Sequence, residues 1–223
     1  LPLTAGMLWR WATVRGSFAA ETRDPVYSPF LALPAIIGMM LAVGLGLHGT
    51  EPAKAFFIVF FALTIGFGGW LTGEWVLGGI DEARFHPGYY LPTCAGGFIG
   101  AEGCGLFGLR SLGWLSFGIG TISWLILASQ VSGRLFFIRL LPEELVPTMA
   151  IELASPCVAG AAYFQLHGEA PDPVAYSLAG YGALMLLVQL RLLPIYARQR
   201  FSAGFWSFTF SWCAAAALAI PWL

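Results

Sequence analysis

The sequence predicts an all-α, polytopic membrane protein in which transmembrane helical hairpins repeat around a central pore. Of its 223 residues, 58% are hydrophobic and 10% are charged, and the mean hydropathy is +0.75. Soluble domains carry charge on about a quarter of their residues, so this composition indicates an integral membrane protein. The other two observations are the length of the apolar stretches and the regular alternation of prolines among them.

Seven apolar stretches are long enough to cross a bilayer. A helix needs about 20 residues to span a hydrocarbon core roughly 30 Å thick. The predicted spans, which form one transmembrane domain over 1–223, are 28–48, 54–79, 88–109, 112–133, 145–166, 173–194 and 203–222. Residues 1–12 resemble the end of a further span and contain no initiator Met, so we expect the sequence to be part of a longer chain.

Every second span carries a proline near its middle. Pro34, Pro92 and Pro156 lie in the first, third and fifth spans, whereas the interiors of the second, fourth and sixth spans contain no proline. A proline inside a helix removes a backbone hydrogen bond and costs about 3 kcal/mol. Lipid cannot satisfy the freed carbonyl, so such a defect needs neighbouring helices or a water-filled cavity. We therefore expect kinked helices around a central passage and straight helices outside them.

The basic residues predict the orientation in a cell membrane. Nine of the eleven Lys and Arg residues lie at one set of span ends, whereas Lys54 and Arg110 lie at the other. The positive-inside rule makes the nine-residue side cytoplasmic, so every proline-bearing span runs outward. Some of these residues, together with His86, are candidates for a basic cytoplasmic mouth. The nine are Arg10, Arg15, Arg23, Arg84, Arg134, Arg139, Arg191, Arg198 and Arg200.

The proline spacing indicates an internal repeat of a helical hairpin. Pro34 and Pro92 are 58 residues apart, Pro92 and Pro156 are 64 apart, and another 55 residues lead to Ser211 in the seventh span. Ser211 therefore stands where the repeat predicts a fourth proline. A second set of prolines fits the first turn of each span, where a missing N–H costs little. These are Pro29, Pro87 and Pro147.

Four short segments, which follow one another along the chain in a fixed order, carry a family resemblance. They are Asp24–Pro34, Phe85–Pro92, Leu141–Pro156 and Phe205–Trp212. They resemble the TehA-like anion channels and transporters, which include bacterial tellurite-resistance proteins, plant guard-cell slow anion channels and fungal malate permeases. The resemblance implies ten helices in five hairpins, with odd-numbered helices kinked by proline and lining one pore per protomer of a homotrimer. The seven spans then correspond to helices three to nine.

The resemblance also implies a pore gate at Phe210. A phenylalanine on the ninth helix plugs the pore in this family, and the pattern in Phe205–Trp212 maps it onto Phe210. An aromatic ring across a narrow apolar pore blocks ions by size and dewetting. Plant members have proline at the next position, whereas this chain has Ser211, which we expect to hydrogen-bond back to a carbonyl. The alternative is that Phe210 is one of 18 phenylalanines that simply pack.

Two acidic residues inside proline-bearing spans are candidate proton-coupling groups or polar groups of the pore. Glu152 lies one turn before Pro156, and Glu102 lies further toward the outside in the third span. Ionisable groups inside a membrane are costly and are therefore candidates for function. Burial also disfavours the charged form of a carboxyl group. The alternative for Glu152, a capping or helix-bridging glutamic acid, stays open.

The predicted function is transmembrane anion transport through a pore gated by an aromatic plug. The alternative is a proton-coupled carrier for a C4-dicarboxylate or for an oxyanion of the tellurite type. An intramembrane enzyme would need a nucleophile–base pair or a metal cluster at mid-depth, but the three histidines lie in loops or at span ends. We predict no catalytic residue, cofactor or metal. With a net charge of −1 no nucleic acid is expected. The expected partners are small inorganic or dicarboxylate anions and membrane lipids.

Overall fold

The structure, a computed structural model, describes residues 2–49, 51–78, 80–138, 140–168 and 170–223. Within these ranges the chain forms helices and no strands, which confirms the predicted all-α polytopic class. The α-helices are α1 Pro2–Thr13, α2 Ser17–Thr22, α3 Leu33–Gly46, α4 Glu51–Val76, α5 Gly96–Leu106, α6 Arg110–Phe137, α7 Ile151–His167, α8 Pro173–Tyr196 and α9 Trp206–Ala219.

Packing divides the long helices into two sets. The inner helices α3, α5, α7 and α9 contact one another in chain order, whereas the outer helices α4, α6 and α8 each pack against the inner helix that precedes them. The inner helices α5 and α7 are buried along most of their length, whereas the outer helices α4, α6 and α8 bury few of their side chains. The inner helix α9 is an exception, because it buries only three side chains.

Each inner helix begins in a tighter or wider helical turn. The 3₁₀ segments Ser28–Ala32, Pro87–Tyr90, Val146–Ala150 and Ala203–Phe205 precede α3, α5, α7 and α9, and the π-helical turn Leu91–Ala95 lies between the second of them and α5. Pro29, Pro87 and Pro147 occupy the first turns of their segments, as the repeat predicts. First-turn N–H groups have no partner within a helix, so proline is tolerated there.

Five described segments are long and apolar enough to cross a membrane. They are Ser28–Gly46, Pro52–Val76, Arg110–Phe137, Pro173–Tyr196 and Ala203–Trp222. The predicted spans 88–109 and 145–166 are helical as well, but they are built from the shorter helices α5 and α7 with their leading turns. Because protein surrounds these two helices, their composition does not have to match lipid. They therefore tolerate glycines, Glu102 and Glu152.

Polar side chains on the outer helices hydrogen-bond to carbonyl groups of the inner helices. Ser116 Oγ on α6 donates to Gly97 O at 2.7 Å, and Gln189 Nε2 on α8 donates to Met149 O at 3.0 Å. Tyr196 OH in turn donates to Gln189 Oε1 at 2.8 Å. A carbonyl in the bilayer needs a partner from protein, so the outer helices supply what lipid cannot.

The contact between α5 and α6 depends on glycine. A Cβ atom on Gly97 would lie 2.6 Å from Gly120 N and 2.9 Å from Ser116 O, and both are backbone atoms. Backbone atoms cannot move aside as a flexible side chain does. This close approach brings Ser116 into hydrogen-bonding range of Gly97 O. The small-residue contacts expected between membrane helices therefore position the inner helix α5.

Candidate functional site

A small cavity, here called the central cavity, lies where the inner helices α5, α7 and α9 meet. Its open volume is about 10 Å³, and a water molecule needs about 10–15 Å³ of such volume. The space between these helices is thus no larger than one water. The lining residues are Tyr90, Ala95, Phe98, Ile151, Ala154, Ser155, Val158 and Phe210.

Phe210 contributes the aromatic side chain of α9 to this cavity. The side chain is half-buried and packs against the main hydrophobic core. The residue selected by the family pattern therefore lies beside residues of α5 and α7, and not on the exposed face of α9. Its role as a gate stays a prediction, since lining a closed cavity is compatible with packing alone.

Ser211, the residue after Phe210, makes the hydrogen bond that the sequence predicts. Its side chain is fully buried, and its Oγ donates to Ser207 O one turn earlier at 2.8 Å. Ser207 Oγ lies 2.7 Å from Pro147 O in the 3₁₀ segment before α7. Two serines thus hold the first turns of α9 in place, one within the helix and one against the 3₁₀ segment before α7.

The three mid-span prolines occupy different places in their helices. Pro34 is in the first turn of α3, Pro92 lies in the π-helical turn before α5, and Pro156 lies inside α7, which is α-helical on both sides of it. Counted from the first-turn prolines, the residue that matches Pro34 and Pro92 is Glu152 rather than Pro156. The kinks expected at these prolines and at Ser211 stay predictions.

Glu152 lies in the first turn of α7, facing the segment that leads into α5. Its side chain is 9% exposed, and its Oε1 accepts a hydrogen bond from Tyr90 OH at 2.8 Å. Tyr90 itself is 1% exposed and lines the central cavity. This pair therefore bridges two inner helices directly beside the cavity, a contact that both alternatives for Glu152 allow.

Glu102 lies on α5 well away from Glu152. It follows Ala95, which lines the central cavity, by seven residues, and residues two turns apart share one face of a helix. It follows Tyr90 by 12 residues, a distance of about 18 Å along a helix axis. The side chain is partly buried. Glu152 is thus hydrogen-bonded to a residue that lines the central cavity, whereas Glu102 lies one turn beyond another lining residue, Phe98.

The comparisons with known proteins agree with this architecture. The profile of the voltage-dependent anion channel family (SLAC1) matches residues 1–222. The chain is also 36% identical over 196 residues to the tellurite resistance protein TehA homolog of Haemophilus influenzae, a match that covers 86% of this chain. This chain spans 58% of the length of that relative.

The chain belongs to the voltage-dependent anion channel family. The resemblance derived from four short segments is thereby confirmed over the whole chain. Membership assigns anion transport at the level of the family.

Tyr90 lines the central cavity, but the sequence alone did not identify it as a site residue. It belongs to a pair of tyrosines before Pro92, and no spacing distinguishes it from Tyr89, whose OH donates to Pro25 O at 2.8 Å. Only the contact across 62 residues with Glu152 assigns it to the central cavity. The signal that pointed there was the intramembrane charge of Glu152, because a buried carboxyl group requires a hydrogen-bonding partner.

The predicted basic mouth divides into structural and exposed residues. Arg134 is buried and its Nη2 donates to Ala83 O at 2.9 Å, so it fastens α6 to the loop before α5. His86 is fully buried, and its Nδ1 accepts the N–H of Gly88 at 3.1 Å. Burial lowers the pKa of His86 to about 4, so it carries no charge at neutral pH. Arg84, Arg198 and Arg200 are exposed, and Arg139 lies outside the described residues.

Proposed function

We propose that this protein forms a gated passage for small anions between its inner helices and that Phe210 closes it. The observation that carries the proposal is the central cavity, which residues of α5, α7 and α9 line and which holds no more than one water. Anion transport is the activity of the family. A ring that fills the narrowest point between helices blocks ions by size and dewetting.

The chemistry of the cavity lining supports weakly hydrated anions. The residues that line the cavity are apolar except for the hydroxyl groups of Tyr90 and Ser155, and none of them is basic. Since the Tyr90 hydroxyl donates to Glu152, preference for anions must then come from the Ser155 hydroxyl and from backbone dipoles at helix ends. Such a lining cannot replace a tightly held hydration shell. Nitrate is therefore expected to pass more readily than chloride, and small inorganic anions more readily than dicarboxylates.

Flux measurements on the protein in liposomes test this proposal. Phe210→Ala is expected to raise anion flux about tenfold, since about 1.4 kcal/mol of barrier corresponds to one power of ten. The assay compares nitrate, chloride, malate and tellurite, and it measures potassium efflux as the control. Equal flux in the folded variant and the wild type would remove Phe210 from the gate.

The second candidate function is a proton-coupled carrier for a C4-dicarboxylate or an oxyanion. It is favoured by one observation, the buried Glu152 beside the cavity. The relative in Haemophilus influenzae is named for resistance to tellurite, an oxyanion. The other titratable groups near Glu152 are Tyr90, Cys94, Tyr181 and Tyr196.

A pH gradient separates the two functions. Uptake by a carrier is expected to follow the proton gradient, and Glu152→Gln is expected to abolish that dependence because glutamine cannot carry the proton. Glu102→Gln tests the second acidic residue in the same way. A channel instead conducts down the anion gradient whether or not a pH gradient is present.

We also propose that the protein acts as a homotrimer in the cell membrane, with one passage in each protomer. This proposal rests on the family resemblance and on the apolar surface of the outer helices. Val59 on α4, Leu115 on α6 and Leu187 on α8 are all more than half exposed, so lipid or a neighbouring protomer must cover them. Light scattering of the detergent-solubilised protein, corrected for detergent, is expected to give the mass of three chains.

A further inference from the structure

Three aromatic side chains line the central cavity, namely Tyr90, Phe98 on α5 and Phe210, and of these Tyr90 alone carries a hydroxyl group. Phe210 comes from α9, and Tyr90 comes from the 3₁₀ segment that leads into α5. The cavity between them is no larger than one water. The family pattern gives a role to Phe210 alone and none to Tyr90.

One hydrogen bond fixes the hydroxyl end of the Tyr90 side chain. Tyr90 OH donates to Glu152 Oε1 at 2.8 Å, and both side chains are buried. The nearby Tyr196 does not compete for this carboxyl group, because its OH donates to Gln189. A hydroxyl group without a partner is costly in an apolar interior. The hydrogen bond therefore holds the ring in the orientation that lines the cavity.

We propose that Tyr90 is a second closing side chain of the passage and that Glu152 positions it. This inference rests on the proposed function, because it takes the central cavity to be part of the anion path. The positioning role requires an acceptor oxygen at residue 152 and does not require a titrating group. It is therefore separable from proton coupling, since glutamine keeps an acceptor oxygen and leucine has none.

A cysteine that lines the cavity reports on closure without measuring transport. Ser155 lines the central cavity, and Ser155→Cys can react with a small anionic methanethiosulfonate only when that reagent enters. The exposed native cysteine is removed by Cys213→Ser, whereas Cys94, Cys104 and Cys157 are buried. The rate of modification is measured by mass spectrometry on the protein in liposomes.

Tyr90→Phe is expected to raise the modification rate about tenfold, because the ring stays but its anchor is lost. Glu152→Leu is expected to give a similar increase, and the double variant no more than either single change, because both remove one interaction. Glu152→Gln is expected to keep the modification rate of the parental protein, which carries only Ser155→Cys and Cys213→Ser. Parental rates in folded Tyr90→Phe and Glu152→Leu, or equal acceleration by Glu152→Gln, would overturn the proposal.

A second tyrosine–carboxylate pair provides the matched control. Tyr163 OH donates to Asp172 Oδ2 at 2.6 Å near the other end of α7, so Tyr163→Phe is expected to leave modification of Ser155→Cys unchanged. If Glu152→Leu fails to fold, Tyr90→Phe decides the question alone. Failure of Phe210→Ala to change flux would count against the proposed gate, whereas the modification rates judge Tyr90 independently.

Discussion

Inner and outer helices lie side by side but differ in length, backbone regularity and composition, as a comparison of α5 and α7 with α6 and α8 shows. The outer helices are long and apolar and bury few of their side chains, and α8 contains one proline, Pro194, near its end. The inner helices are shorter and begin in 3₁₀ or π-helical turns, and they carry Glu102 and Glu152. Among these four helices, the acidic residues and the irregular first turns thus belong to the two that protein surrounds.

This difference indicates that the outer helices supply the inner helices with hydrogen-bond partners, a role that water has in a soluble protein. Ser116 and Gln189 hydrogen-bond to the carbonyls of Gly97 and Met149, which lipid could not do. The irregular inner helices can in turn bring side chains such as Tyr90 and Phe210 to one cavity. The three stability predictions below test this division of roles, from the largest expected effect to the smallest.

The largest effect is expected from pH at the start of an inner helix. His86 is buried and its pKa is lowered to about 4, whereas a histidine in the unfolded chain titrates near 6.5. The unfolded state therefore binds more protons in this range. The contribution of neutral His86 to the free energy of unfolding is fully present above about pH 6.5. It falls by on the order of 3 kcal/mol as the pH drops to about 4. Thermal unfolding of the detergent-solubilised protein between these pH values measures the loss.

His86→Asn is expected to flatten this pH dependence. Asparagine keeps an acceptor for the N–H of Gly88 and does not titrate. The exposed His48, after the end of α3, provides the control, and His48→Asn is expected to leave the curve unchanged. A wild-type protein as stable at pH 4 as at pH 7 would show that water reaches His86.

A smaller effect is expected from one methyl group between α5 and α6. Gly97→Ala places Cβ against backbone atoms of Gly120 and Ser116, and overpacking of this kind costs about 2 kcal/mol. The control is Gly118→Ala on α6, where a Cβ would meet nothing within 4 Å. Melting temperatures followed by size-exclusion chromatography compare the two. Equal stabilities would mean that the two helices separate without cost.

The smallest effect is expected from a polar group on an outer helix. Gln189→Leu removes the donor to Met149 O and the acceptor for Tyr196 OH, at a cost of about 1 kcal/mol. Gln130→Leu makes the same chemical change at an exposed position of α6 and is expected to be neutral. The same melting assay measures both variants. If Gln189→Leu is as stable as Gln130→Leu, the outer helices do not need to supply hydrogen bonds.

Much of the helical order was predictable from the sequence, because the cost of exposing polar groups to lipid imposes long apolar runs. The same constraint made the placement of proline informative. It was harder to predict which residue of α7 corresponds to Pro34 and Pro92. Pro156 continues their spacing along the chain, but Glu152 lies at the same distance from the first-turn proline of its own segment. Proline bends a helix only as its neighbours allow, and those neighbours come from distant sequence.

The central cavity was the part that sequence reasoning reached least. Phe210 was identified through a family pattern, and its position beside Tyr90 depends on how α5, α7 and α9 pack. The Tyr90–Glu152 hydrogen bond joins residues 62 positions apart, and no periodicity relates them. The burial of His86 had no sequence signal either, because its position at a span end is equally compatible with an exposed side chain.

Electrical recording of Phe210→Ala beside Phe208→Ala tests the central claim most directly. Both variants remove one phenyl ring from α9, but Phe208 packs against Tyr196, with ring centres 4.8 Å apart, and does not line the cavity. We expect Phe210→Ala to increase anion current about tenfold and Phe208→Ala to leave it at the wild-type level. Equal currents in both folded variants would contradict the account, because the closed cavity would then not be the barrier to anions.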